Sequence, residues 1–121
     1  MNFRRNTKTF ATGRLKSGEM NKTEKAYAQH LGNLMNTGEI IWWRFEGIKF
    51  KLADNCHYSP DFAVMLPSGE IEIHEVKGSL SFVQDDAKVK IKVAAQAYPF
   101  RFIMVAPKAK KNGGGWDVKE I

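Results

Sequence analysis

The chain has 121 residues, 43% of them hydrophobic, and a net charge of +6, enough for one core, too apolar for a disordered chain, and basic enough to attract polyanions. No stretch approaches the roughly 20 apolar residues of a membrane span, and no apolar signal core opens the sequence, so no membrane partner and a cytoplasmic location are expected. Cys56 is the one cysteine, which excludes an internal disulfide and a cysteine-rich zinc site.

In chain order, residues 1–20 form a polar, basic arm: Arg4, Arg5, Lys8, Arg14 and Lys16 all precede the first acid, Glu19. The remainder, 21–121, reads as one domain. Residues 23–36 have helical spacing in Tyr27, Leu31, Leu34 and Met35, with Asn21 or Thr23 as the cap. Glu24 lies on the same stripe. An acid there suits the first turn of a helix and equally could point a carboxylate at a site. Ile40 to Phe45, with Trp42-Trp43, has no clear period. Ile48-Lys49-Phe50-Lys51-Leu52 alternates as a strand, and 53–57 reads as a loop.

Ser59-Pro60-Asp61 then leads into the apolar run Phe62 to Leu66. Pro67-Ser68-Gly69 makes a turn, and Glu70 to Val76 runs back. A turn centred on Ser68 sets Asp61 opposite Glu75. Opposed residues in an antiparallel pair have Cα atoms about 4.5–5.5 Å apart, so both carboxylates reach one cation. Lys77 lies two residues on, on the same face, roughly 6.6 Å along the strand. Asp61, Ala63, Met65, Ile71, Ile73, Glu75 and Lys77 share that face, which is apolar except at its charged end. Each piece has a bland explanation, since Pro-Asp is common at turns and Glu-x-Lys on exposed strands. Together they place charges on a buried face, which is costly unless they are paired or bind a cation. His74 falls on the opposite face, and His30, His57 and His74 have no metal-ligand spacing.

Residues 82–98 alternate locally at Val89-Lys90-Ile91-Lys92-Val93. However, Val83, Ala87, Ile91, Ala94 or Ala95, and Tyr98 fall on one helical face, and the alanine content and length favour helix. Lys88, Lys92 and Gln96 then form a polar stripe, either a solvated face or a contact to phosphates. Pro99 ends the helix. Phe100 to Val105 reads as a buried strand, and Lys108, Lys110 and Lys111 as a second basic cluster. Asn112 to Gly115 make a turn, and Trp116 to Val118 a short last strand. The expected fold class is α/β, an α+β mixed sheet in the order α-β-β-β-α-β(-β), with three antiparallel strands between the helices.

Pro60-Asp61 followed by Glu75-Val76-Lys77, with Thr23-Glu24-Lys25-Ala26-Tyr27 in the preceding helix, resembles the PD-(D/E)XK nuclease superfamily over about residues 22 to 105. Within it the chain is similar to small phage-type endodeoxyribonucleases, including Holliday-junction-resolvase-like members. The resemblance implies a single-domain restriction-endonuclease-like core in a bacterial or phage-infected cell. It implies Mg²⁺ or Mn²⁺ held by Asp61, Glu75 and the Val76 backbone carbonyl, with Glu24 completing the site directly or through water. Lys77 would position or activate the attacking water, giving products with a 5′-phosphate and a 3′-hydroxyl. DNA is the implied partner, and Arg4, Arg5, Lys8, Arg14, Lys16, Lys88, Lys92, Gln96, Lys108, Lys110 and Lys111 are the expected contacts to it. Junction cleavage needs two sites and hence a homodimer, although no heptad or dimer stripe is legible. A nuclease subunit of a transposition or restriction system, and a non-catalytic nucleic-acid-binding module on the same scaffold, are the alternatives. Removing residues 1–20 should weaken DNA binding and flatten its salt dependence; affinity measured across a salt series reads this, and an unchanged slope would separate the arm from DNA.

Overall fold

The computed structural model describes residues 18–80 and 85–121. The basic residues Arg4, Arg5, Lys8, Arg14 and Lys16 lie outside the described residues. Among the described residues two helices and seven strands follow in the order α1 (Lys22–Asn36), β1 (Trp42–Phe45), β2 (Phe50–Ala53), β3 (Cys56–Tyr58), β4 (Phe62–Met65), β5 (Ile71–Val76), α2 (Asp85–Ala97), β6 (Arg101–Pro107) and β7 (Trp116–Glu120), with a 3-10 turn at Lys110–Asn112. The fold is therefore mixed α/β. Five strands form one mixed sheet in the order β1-β4-β5-β6-β7, and β2 and β3 form a separate two-stranded sheet.

Helix α1 starts at Asn21, whose side chain accepts the Glu24 N–H at 2.8 Å while Glu24 Oε1 accepts the Asn21 N–H at 2.9 Å. This reciprocal capping box satisfies two N–H groups that a helix start otherwise leaves without partners. The helix buries Tyr27 and Leu31. They pack with Ile40, Phe62, Val64, Val76, Ile103 and Val105 in a first core on one face of the sheet.

The opposite face carries a second core of Ala63, Ile73, Phe102 and Met104, covered by Ile91 and Ala94 of α2 and by Phe50 and Tyr58 of the small sheet. Hydrogen bonds pin that sheet to α2: Lys90 Nζ donates to the His57 carbonyl at 3.2 Å, and the Tyr98 hydroxyl to the Lys51 carbonyl at 2.6 Å. β5 is thus covered on both faces, and its residues from Glu72 to Val76 are all buried. Such a strand must satisfy its polar side chains internally. On the first-core face it does so through a chain of contacts. The Tyr27 hydroxyl lies 2.7 Å from His74 Nδ1, His74 Nε2 lies 3.0 Å from Glu72 Oε1, and Arg101 donates to Glu72 Oε2 at 2.8 Å. Arg101 also pairs with Glu120 at 3.1 Å.

The strand pairing departs from expectation in one respect. Five strands, not three, separate the helices, and the segment expected to join the β4–β5 hairpin does not. β1, the stretch without a clear period, pairs with β4 instead, Trp43 opposite Val64 and Phe45 opposite Phe62. The expected strand at 48–52 folds back on the expected loop, Phe50 opposite Tyr58 and Lys51 opposite His57. Two residues outside the usual backbone region cause this. Glu46 (φ 51°) breaks the chain direction between β1 and β2, and Asn55 (φ 59°) makes the tight reversal between β2 and β3. Asparagine tolerates that left-handed conformation better than other non-glycine residues. Alternation identified the strand; partner choice depended on these two turns.

Ile91 is fully buried on α2, which covers the second core. Ile91→Ala should cost roughly 2–5 kcal/mol, read as a lowered urea midpoint at unchanged slope.

Candidate functional site

The β4–β5 ladder carries the register the turn predicts. Phe62 lies opposite His74, Ala63 opposite Ile73, Val64 opposite Glu72 and Met65 opposite Ile71. Leu66 and Glu70 close the hairpin with a 2.9 Å bond, and Gly69 takes the left-handed conformation (φ 94°) that the turn requires. Continuing the register one step past Phe62 sets Asp61 opposite Glu75. The ladder ends there, and the Asp61 side chain takes over: its Oδ2 accepts the Val76 backbone N–H at 2.8 Å. On the other side the Asp61 carbonyl accepts the Glu46 N–H at 2.7 Å. Asp61 is thereby held from both main chain and side chain.

Glu75 is 7% exposed. Its Oε1 accepts the Tyr58 hydroxyl at 2.6 Å and its Oε2 lies 3.4 Å from Lys77 Nζ. The Lys77 backbone is fixed by its N–H bond to the Val105 carbonyl at 2.8 Å, which ties the site to the parallel β5–β6 pair. Burial pushes the Asp61 carboxyl up, and the neighbouring Glu75 charge pushes it further. Burial pushes Glu75 up as well, opposed by the Tyr58 hydrogen bond and the Lys77 charge. The Tyr58 hydroxyl is itself held far above its ordinary value, by burial and then by the Glu75 charge. It stays protonated and serves as a donor.

Glu24 is half-buried, with one oxygen committed to the α1 capping box. Its charge still reaches Asp61, whose carboxyl it helps to raise. Among the described residues no group of three or more carboxylate, histidine or cysteine side chains is placed to hold a metal ion. The arrangement is a carboxylate pair. Asp61 Oδ1 enters no hydrogen bond among the described residues, and Mg²⁺ commonly keeps several waters while taking one or two carboxylates. The donor set fits such an ion.

The basic residues separate into groups. Lys88, Lys92 and Gln96 are exposed on α2. Lys108, Lys110 and Lys111 follow the C-terminal end of β6, the same end of the parallel pair at which Glu75 and Lys77 lie. Lys108 is engaged with Asp117 at 3.6 Å. Sequence reasoning missed Tyr58. It precedes the Ser59-Pro60-Asp61 motif, yet only the folding of the small sheet over the second core aims its hydroxyl at Glu75.

No known protein family matches the chain, and no curated protein or solved structure matches it. Among the described residues no helix is long and apolar enough to cross a membrane.

A carboxyl raised on folding keeps its proton longer in the folded chain than in the unfolded one. Stability therefore falls as pH rises from the unfolded carboxylate range, near 4, through the folded value, pushed up to about 8 for Asp61. Asn can still accept the Val76 N–H but carries no charge. Melting temperatures in EDTA should show Asp61→Asn gaining several degrees on the wild type between pH 5 and pH 8, with little difference at pH 4.

Proposed function

We propose that the protein is a metal-dependent endodeoxyribonuclease that hydrolyses phosphodiester bonds at Asp61, Glu75 and Lys77. The observation that carries this reading is the pair of carboxylates at the end of the β4–β5 ladder, Glu75 buried and Asp61 half-buried, with a lysine ammonium 3.4 Å from Glu75. Neighbouring acids that are only partly compensated repel each other when ionised and lose hydration. A divalent cation relieves both costs, and a phosphodiester brings the matching anionic oxygens.

Asp61, Glu75 and the Val76 carbonyl would hold Mg²⁺ or Mn²⁺. When bound, the ion would supply Lewis-acid stabilisation of phosphoryl oxygens and lower the pKa of a coordinated water. The chain's own groups do the rest. Asp61 is oriented by the Val76 N–H, and Glu75 by the Tyr58 hydroxyl, so neither carboxylate must reorganise when charge develops. The Lys77 ammonium orients the attacking water and screens the negative charge building on the phosphate. Glu24 adds negative charge at the rim, strengthening the hold on a cation. Lys88, Lys92 and Gln96, with Lys108, Lys110 and Lys111, supply positions for backbone phosphates. Junction-shaped DNA would engage two copies of the chain, one for each strand cut.

Purified protein should nick or cut DNA with Mg²⁺ or Mn²⁺ and not with EDTA. Asp61→Ala and Lys77→Ala should each lower the rate at least about 100-fold, a typical loss for a positioned catalytic group, with DNA binding largely retained. Mg²⁺ should also raise the wild-type melting temperature while leaving Asp61→Asn unmoved. Wild-type cutting by Lys77→Ala, or the same Mg²⁺ shift in Asp61→Asn, would place the chemistry elsewhere.

A further inference from the structure

Across the sheet from Glu75 runs a row of side chains on one face. Glu75 of β5 is in register with Met104 of β6, and Met104 is in register with Lys119 of β7. At the neighbouring strand spacing of about 4.8 Å, Lys119 stands some two strands, roughly 10 Å, from Glu75. Beside that row lies a cavity of about 300 Å³, lined by Leu80, Lys88, Lys92, Met104, Lys119, Glu120 and Ile121. Its apolar surface comes from the half-buried Leu80 and Ile121, with the core residue Met104 beneath them. Its charge comes from two lysines one helical turn apart on α2 and a third on β7. Glu120 is the one acid, and it is held by Arg101 at 3.1 Å. None of the three lysines enters an ion pair among the described residues. Three lysines around one cavity make its rim cationic, and a cationic rim attracts a phosphate.

A cavity of this size is at the lower end of those that hold small ligands, and its lining mixes apolar with cationic side chains. An apolar floor accepts the face of a base, and lysines at the rim accept its phosphate. We propose that this cavity is a subsite for an unpaired nucleotide of the DNA strand, with its base against Leu80 and Ile121 and its phosphate at Lys88, Lys92 and Lys119. The inference rests on the nuclease reading for the strand's direction toward Glu75, and it names the substrate class: DNA with single-stranded character next to the cut. A paired base could not leave its stack to enter without the cost of unpairing, which is several kcal/mol in general.

The test measures binding in EDTA, so cutting plays no part. The probes are a fluorescent 15-residue oligo(dT) and a 15-base-pair duplex, across a salt series. The three lysines are exposed, so Lys119→Ala and the pair Lys88→Ala/Lys92→Ala should keep the wild-type melting temperature. Each is expected to weaken oligo(dT) binding about tenfold and to lower the salt slope by roughly one per lysine in contact, with Lys119→Arg restoring affinity. Duplex binding should change less. Wild-type oligo(dT) affinity and slope in both variants would overturn the subsite. Equal losses on duplex and single strand would overturn the unpaired-base assignment. Competition by free thymidine monophosphate as effective as by oligo(dT) would overturn the strand assignment. If the lysine variants lose oligo(dT) binding while the wild type cuts no DNA, the subsite stands and the nuclease reading falls. If the wild type cuts and the variants bind normally, the reverse holds.

Discussion

In the β4–β5 ladder Phe62 faces His74 and Ala63 faces Ile73, and a slip of one residue would exchange the two faces of the hairpin. That register divides the molecule into its two cores. Phe62 and Val64 go to the α1 side, Ala63 and Ile73 to the α2 side. The same parity sends Asp61 and Glu75 together to one side and His74 and Glu72 together to the other. Both cores consist of buried apolar side chains, so the register is held by burial on each face rather than by the acids themselves. The carboxylate pair exists because the hydrophobic pattern leaves it no other place.

The two polar sets on β5 are satisfied in different ways, and the contrast bears on function. On the α1 side Tyr27, His74, Glu72, Arg101 and Glu120 form a continuous chain of contacts between 2.7 and 3.1 Å. Glu72 is accordingly held below its ordinary value, first by its hydrogen bond to His74. On the α2 side Asp61 and Glu75 are raised, and Tyr58 and Lys77 compensate them only in part. Closed networks rigidify a fold. An incompletely compensated pair at the end of a strand has an opening for a ligand, and perturbed acids cluster at functional sites for that reason.

The aromatic packing around the small sheet links fold to site. Phe50 lies between Tyr58, Tyr98, Phe100 and Phe102 with ring centroids 4.7 to 6.4 Å apart. Those contacts seat β2 and β3 over the second core and so set the Tyr58 hydroxyl against Glu75. α2 belongs to the same unit. Its inner face holds Ile91 and Ala94 in the core, while its outer rim presents Lys88 and Lys92 beside the Met104–Lys119 row. One helix therefore both closes the core beneath the carboxylates and lines the cavity next to them.

The primary structure by itself determined the two helices, the hairpin, its register and the shared face of Asp61, Glu75 and Lys77. These depend on local periodicity and on a short turn, where chain neighbours in sequence are neighbours in space. Tertiary structure decided what depends on distant partners. It paired Trp42–Phe45 with β4, because the turns at Glu46 and Asn55 redirect the chain in ways alternation does not encode. It committed one Glu24 oxygen to its capping box, where helical spacing alone left that acid's direction open. It brought Tyr58 to Glu75 from a separate sheet, and it gathered Lys88, Lys92 and Lys119 around one cavity although they belong to different elements. Periodicity specifies which face a residue takes; only the packing of one element on another specifies what that face meets.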